Sequence, residues 1–176
     1  VSAAKGIAPD AGIIAGKVLN SNGGGYASDA IAGVYWAVDG PDGIFGTADD
    51  FNPDAISMSF GSVYPLLFKK GFCDNSALEM ALAVNHATSN GIMVVAASGN
   101  DGGKGIPIPA CLSNVNVVAV GAAEITEKDG KLKIKPAGFS GRGDSLDMIA
   151  PGVAYFLLGL EVHTQLVKEQ ALQFQW

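Results

Sequence analysis

Residues 92–97 and 115–122 form two apolar runs with almost no polar interruption. A strand with one wet face alternates apolar and polar residues. An unbroken apolar run suits a strand covered on both faces. Helical spacing recurs ahead of these runs. Ser28 is a good N-cap, followed by Ile31, Val34, Tyr35 and Val38 on one stripe. Asn75 or Ser76 caps a second helix, with Leu78, Ala81, Leu82 and Asn85 along one face and Asn90-Gly91 as its stop. Strands alternating with helices imply an α/β fold built on a parallel sheet with both faces covered.

Other segments fill in this frame. Residues 13–19 read as a buried strand that the glycine-rich turn at 20–25 cannot continue, and 55–60 read as another strand. A long loop with Pro65 and Gly71 follows. Residues 125–134 read as a surface hairpin turning at Glu127-Lys128-Asp129-Gly130-Lys131. No repeat or low-complexity linker divides the 176 residues, a length sufficient for one packed domain. The net charge of -6 argues against nucleic acid and anionic membrane as partners. No apolar run is long enough to span a bilayer. Cys73 and Cys111 lack metal-ligand spacing; two buried thiols and a disulfide remain open readings.

Three places carry residues suited to chemistry. Asn100 ends an apolar strand, where ligands of open parallel sheets gather. Its amide is suited to stabilise a developing oxyanion, and Gly-Asn after a strand is equally a common Asx turn. Gly23, Gly24 and Gly25 stand between a strand and a helix, as a phosphate cradle would in a nucleotide-binding domain, but without the Gly-Lys-Ser/Thr ending of a P-loop. The segment from Asp39 to Asp50 is acidic and glycine-rich. Asp42, Asp49 and Asp50 are its candidate calcium ligands, although the spacing is not that of an EF-hand; the plain alternative is a solvated loop.

Four stretches, in order, resemble the subtilase family of serine proteases. Gly6-Ile7-Ala8-Pro9-Asp10-Ala11 resembles G-V-A-P-x-A, with Lys17-Val18-Leu19 as the K-V-L strand. Ser57-Met58-Ser59-Phe60-Gly61 resembles N-M-S-L-G. Val94-Val95-Ala96-Ala97-Ser98-Gly99-Asn100-Asp101-Gly102 resembles V-V-A-A-A-G-N-x-G. Phe139-Ser140-Gly141-Arg142-Gly143, with Met148-Ile149-Ala150-Pro151-Gly152, resembles F-S-x-x-G followed by an apolar A-P-G. The resemblance implies a three-layer, doubly wound parallel sheet with helices on both faces, truncated at both ends. It implies a secreted, extracellular parent that hydrolyses peptide bonds in polypeptide substrates with a Ser/His/Asp triad and no organic cofactor. Carried over residue by residue, it makes Asn100 the oxyanion donor and Gly23, Gly24 and Gly25 a backbone edge that pairs with substrate. Ser59, Phe60 and Gly61, facing Ala97, Ser98 and Gly99, become the walls of the pocket for the residue before the cut.

The departures matter equally. The family's aspartate segment and H-G-T-H should precede Gly6, and its G-T-S-M-A should follow Gly152. None is present. The two histidines, His86 and His163, match no family position and read as structural or solvent-exposed. Residues 1–153 therefore read as a partial catalytic domain, inactive as written. Residues 154–176 match nothing in the family. They are either a divergent tail or a frameshift, since a shifted frame through 158–171 permits Trp-Pro-Gly-Gly-x-Tyr and then Gly-Thr-Ser. The alternative function is a non-catalytic binding module on a subtilase fold.

Overall fold

The structure, a computed structural model, describes residues 8, 10–63, 65–113 and 117–153, and the backbone of three two-residue strands beyond them. Val115, His163 and most of the tail lie outside the described residues, as do residues 1–7 and Pro9 of the first family-like stretch.

The apolar runs form the centre of the main sheet. β1 (Ala55–Met58), β4 (Met93–Ala97) and β6 (Val117–Lys128) lie side by side and parallel, in register Met58–Ala96 and Ala96–Ala119. β8 (Met148–Pro151) runs parallel to the middle of β6, and β7 (Lys131–Pro136) pairs antiparallel with its far half. The sheet is thus mixed rather than wholly parallel. The cause is local: Asp129 and Gly130 both adopt positive φ, 54° and 72°. Two such residues make the tight turn whose twist matches a hairpin. The hairpin expected at 125–134 is present, and its first arm is the continuation of β6.

α1 (Ala27–Asp39) and α2 (Leu78–Ser89) pack against one another, and α2 packs on β4. α1 buries Ala30, Val34 and Val38 at i, i+4 and i+8; of the expected stripe, Val34 and Val38 are inside, Ile31 is only partly buried and Tyr35 is exposed, so the inward face is turned toward Ala30. It begins earlier than expected: Tyr26, not Ser28, occupies the N-cap, and its carbonyl accepts the N–H groups of Asp29 and Ala30. The second helix departs further. Asp74–Ser76 form a separate 3₁₀ turn, and Ala77 is the N-cap of α2. Its buried face is Met80, Ala81, Ala83, Val84 and Ala87, whereas Leu78, Leu82 and Asn85 face outward. Small residues win the inner face because they let α2 approach α1 and the sheet closely.

The strand expected at residues 13–19 is not part of any ladder among the described residues. Ile13 is 90% exposed. The segment lies beside α1 without regular secondary structure instead, with Val18 reaching the backbone at Gly33 and the Trp36 ring lying over Gly16. Apolar composition alone specified an extended segment, not a partner for its backbone.

Outside the main sheet, β3 (Leu67–Phe68) pairs antiparallel with β5 (Ile106–Pro107). Cys73 and Cys111 form a disulfide that ties the loops following these two strands, which resolves the two readings left open by sequence. β2 (Phe60–Gly61) follows β1 directly. Beyond Val153, β9 (Phe156–Leu157) pairs with β10 (Leu160–Glu161), and β11 (Leu172–Gln173) lies parallel to β2.

Candidate functional site

β1, β4, β6 and β8 point the same way, so their carboxyl ends meet at one edge of the sheet. Loops leaving those ends must diverge, and a crevice opens between them. Here it is a cleft of about 260 Å³. One side is Ser59, Phe60 and Gly61, leaving β1. The other is Ala97, Ser98 and Gly99, leaving β4, with Asn100 next in the chain. The two candidate walls and the candidate donor therefore line a single space, although about forty residues of chain separate them.

Asn100 follows Gly99, whose φ of 80° turns the chain out of the strand. Glycine takes that conformation without a Cβ penalty. The Asn100 side chain is exposed and makes no hydrogen bond among the described residues. Asn20 is the contrast: its Oδ1 accepts the N–H of Asn22 at 2.9 Å and of Gly24 at 3.2 Å, as an Asx-type turn does. Asn100 makes no such local bond, so its amide is available to the cleft.

The wall behind Asn100 is braced by the Phe139–Gly143 loop. Gly141 donates its N–H to Gly99 O at 2.9 Å, and Gly102 donates to Phe139 O at 2.7 Å. Ser98 and Ser140 are both buried, with hydroxyls 3.4 Å apart, and Ser140 Oγ accepts the Ala122 N–H at 3.0 Å. These buried hydroxyls join the strand end to the loop without leaving either polar group unpaired.

Gly23, Gly24 and Gly25 do not line this cleft. They form a turn closed by Asn20, whose N–H donates to Gly24 O at 2.8 Å. Asp42, Asp49 and Asp50 lie in the loop after α1. Their oxygens already accept bonds within that loop: Asp42 Oδ1 from Ile44 N–H at 2.8 Å, Asp49 Oδ2 from Asp42 N–H at 3.1 Å, and Asp50 Oδ2 from Gly46 N–H at 2.6 Å. The Thr47 hydroxyl donates to Asp49 Oδ1 at 2.6 Å, and this bond most of all holds the Asp49 carboxyl below the usual carboxylate range. No three metal-ligating side chains converge among the described residues. His86 lies on α2, away from the cleft. Its Nε2 meets the carboxylate of Asp39, the last residue of α1, and the Tyr35 and Phe45 rings flank it. This is a bond between two helices.

Sequence reasoning missed other residues of the cleft. Asp101, the one charged residue in the lining among the described residues, pairs with Lys104 at 3.8 Å. Pro107 and Phe139 also line it, as does the chain from Ala150 to Gly152. Asp101 was within reach, since it adjoins Asn100 in the same stretch. Pro107 carries no local signal.

The sequence matches the Peptidase S8 family, described as the subtilase family, over residues 2–175. This chain belongs to the subtilase family. It is 37% identical over 148 residues to an alkaline protease of Alkalihalobacillus alcalophilus, covering 84% of this chain and 31% of that protein. Identity to subtilisin Savinase of Lederbergia lenta is also 37%, covering 84% of this chain and 44% of the relative. Among solved structures, Sphericase superposes with a TM-score of 0.61 at 32% identity, covering 85% of this chain and 46% of that one. The S41 psychrophilic protease gives 0.60 at 30% identity with the same coverages. The chain thus spans about a third to under half of the length of these relatives. Homology and fold together show a subtilisin-like, subtilase-family relationship.

Proposed function

We propose that this chain is part of a subtilisin-like serine endopeptidase, an extracellular enzyme that acts on polypeptides, and that it supplies the oxyanion donor and the pocket walls. The observation that carries the reading is the convergence of residues 59–61 and 97–100 on one cleft at the carboxyl ends of parallel strands. Acyl transfer builds negative charge on the carbonyl oxygen of the attacked peptide. The Asn100 N–H₂, exposed at the cleft and without a competing bond among the described residues, is suited to receive that charge. The nucleophile and its base come from other segments in a complete family member, so the chain alone turns over no peptide. In the whole enzyme the sheet described here is the middle of a three-layer, doubly wound fold, with residues 1–153 as its contribution and 154–176 as an appended tail. Gly23, Gly24 and Gly25 would offer substrate a backbone edge apart from the cleft itself.

The test is a chimera in which residues 1–153 replace the matching segment of a complete relative. Asn100→Ala should lower kcat by about 10²–10³, a magnitude taken from this family rather than from the geometry here, while KM and folding change little. An unchanged kcat in folded Asn100→Ala chimera would remove Asn100 from the mechanism.

We also propose calcium binding by the acidic loop. The donors are hard oxygens, as calcium requires. Asp42, Asp49 and Asp50 would have to exchange the loop's own amides for the ion. Calcium titration should then shift the Gly46 and Ile44 amide resonances at micromolar to millimolar calcium; no shift at 10 mM, a concentration above the weakest class of protein site at about 10⁻³ M, would end the proposal.

A further inference from the structure

One residue that lines the cleft is marked by no motif. Pro107 is buried, yet it lines the cleft. A Cβ placed on Gly61 would meet Pro107 Cγ at 2.6 Å and Cβ at 2.7 Å. One placed on Gly99 would meet Cδ and Cγ, both at 3.1 Å. The ring therefore touches both walls at once, each at the third residue of its stretch. Both contact positions are glycine: a Cβ at Gly61 would collide with the ring, and one at Gly99 would press tightly on it.

Pro107 is also held firmly. A pyrrolidine ring has no rotamer that swings it aside. Its carbonyl accepts the Cys111 N–H at 3.1 Å, and Cys111 is fastened to Cys73. The next residue, Ile108, donates its N–H to Ser62 Oγ and accepts the Ser62 N–H, both at 3.0 Å. Ser62 follows Gly61 directly, so the first wall and the strand carrying Pro107 form one clamp. Leu67 pairs with Pro107 from the other side.

We infer that Pro107 is a specificity-determining stopper: it fixes the depth of the cleft and confines it to peptides anchored by a small side chain such as alanine, serine or glycine. This rests on the reading of the cleft as a peptide site. A side chain entering between Ser59–Gly61 and Ala97–Gly99 runs into the ring where the walls meet. A larger aromatic anchor has to displace the clamp or stay outside.

The experiment titrates the full chain with two N-acetylated tetrapeptides, Gly-Ala-Ala-Ala and Gly-Ala-Ala-Phe, and follows the amide resonances of Gly61, Gly99 and Asn100. The alanine peptide should bind on the order of tenfold more tightly or better, the lower end of what pocket shape achieves for small apolar differences. Pro107→Gly should level or reverse that order. Pro107→Ala, the more conservative change, should narrow it. If neither variant folds, the comparison in the native chain still decides. Equal or tighter binding of the phenylalanine peptide, with shifts at the same amides, overturns the stopper and leaves the peptide site standing. An unaltered preference in folded variants also overturns it. Absence of shifts with either peptide overturns the peptide site and this inference together.

Discussion

Gly141→Ala should disrupt the wall behind Asn100. An added Cβ at Gly141 would lie 1.7 Å from Ser98 O, 2.7 Å from Ser98 C and 3.1 Å from Gly105 O. The first distance is half the 3.4 Å at which ordinary contact begins. Both partners are backbone, so neither can rotate away. The loop must retreat from Ser98, which breaks the Gly141 N–H bond to Gly99 O and strains the Ser140 hydroxyl that holds Ala122. Overpacking costs about 1–3 kcal/mol and the lost hydrogen bond about 1 kcal/mol, giving about 2–4 kcal/mol in all. Gly141 has no positive φ, so the cost is purely steric. Gly138→Ala is the matched control, because nothing lies within 4 Å of its added Cβ; it should stay within about 0.5 kcal/mol of the native chain. Urea unfolding followed by tryptophan fluorescence measures the difference. Hydrogen exchange at the Gly141 and Ser98 amides locates it. A Gly141→Ala chain as stable as Gly138→Ala, with unchanged protection at Gly141, would refute the packing argument.

Removing the disulfide with Cys73→Ala and Cys111→Ala frees a loop of sequence separation 38, which on the chain-entropy model costs about 4 kcal/mol; a loss under about 1 kcal/mol by urea titration would show that the Ser62 clamp holds these loops unaided. Asp49 titrates below the usual range because Thr47 first, and then loop amides, favour its charged form. Its folded pKa is depressed, so its contribution is present above the unfolded value and is lost as pH falls through the folded value, below about pH 4. Thr47→Val should raise the Asp49 titration midpoint seen by carboxyl-carbon NMR, and an unmoved midpoint would discount the Thr47 bond.

Much of the candidate site was legible as short stretches. Ser59 to Gly61 and Ala97 to Asn100 carry their own signals: an apolar strand, then small residues where the chain leaves it. The same holds for the hairpin, where Asp129-Gly130 specifies a two-residue turn between β-rich arms. The acidic loop was legible as a loop, but composition alone did not show whether its carboxylates face one another or the loop's own amides. Thr47 and the Gly46 and Ile44 N–H groups settle that through bonds spanning only a few residues, whose geometry depends on the turn as folded.

What the sequence alone determined were features governed by neighbours along the chain: extended apolar runs, Val34 and Val38 on the inner face of α1, the hairpin turn, and the family to which the stretches belong. Tertiary structure decided everything that needed a partner distant in the chain. Leu78 and Leu82 are more apolar than Ala83 and Ala87, yet the alanines are inside, because proximity to α1 and the sheet rewards small side chains there. Residues 13–19 have a strand's composition but lie outside every described ladder, because a strand is defined by its pairing. Cys73 joins Cys111, and Pro107 lodges between Gly61 and Gly99, only because the backbone brings loops from separate parts of the chain to one place. Local patterns encode the conformation a segment prefers; burial, pairing and the shape of the cleft are properties of contacts that exist only after the chain has folded.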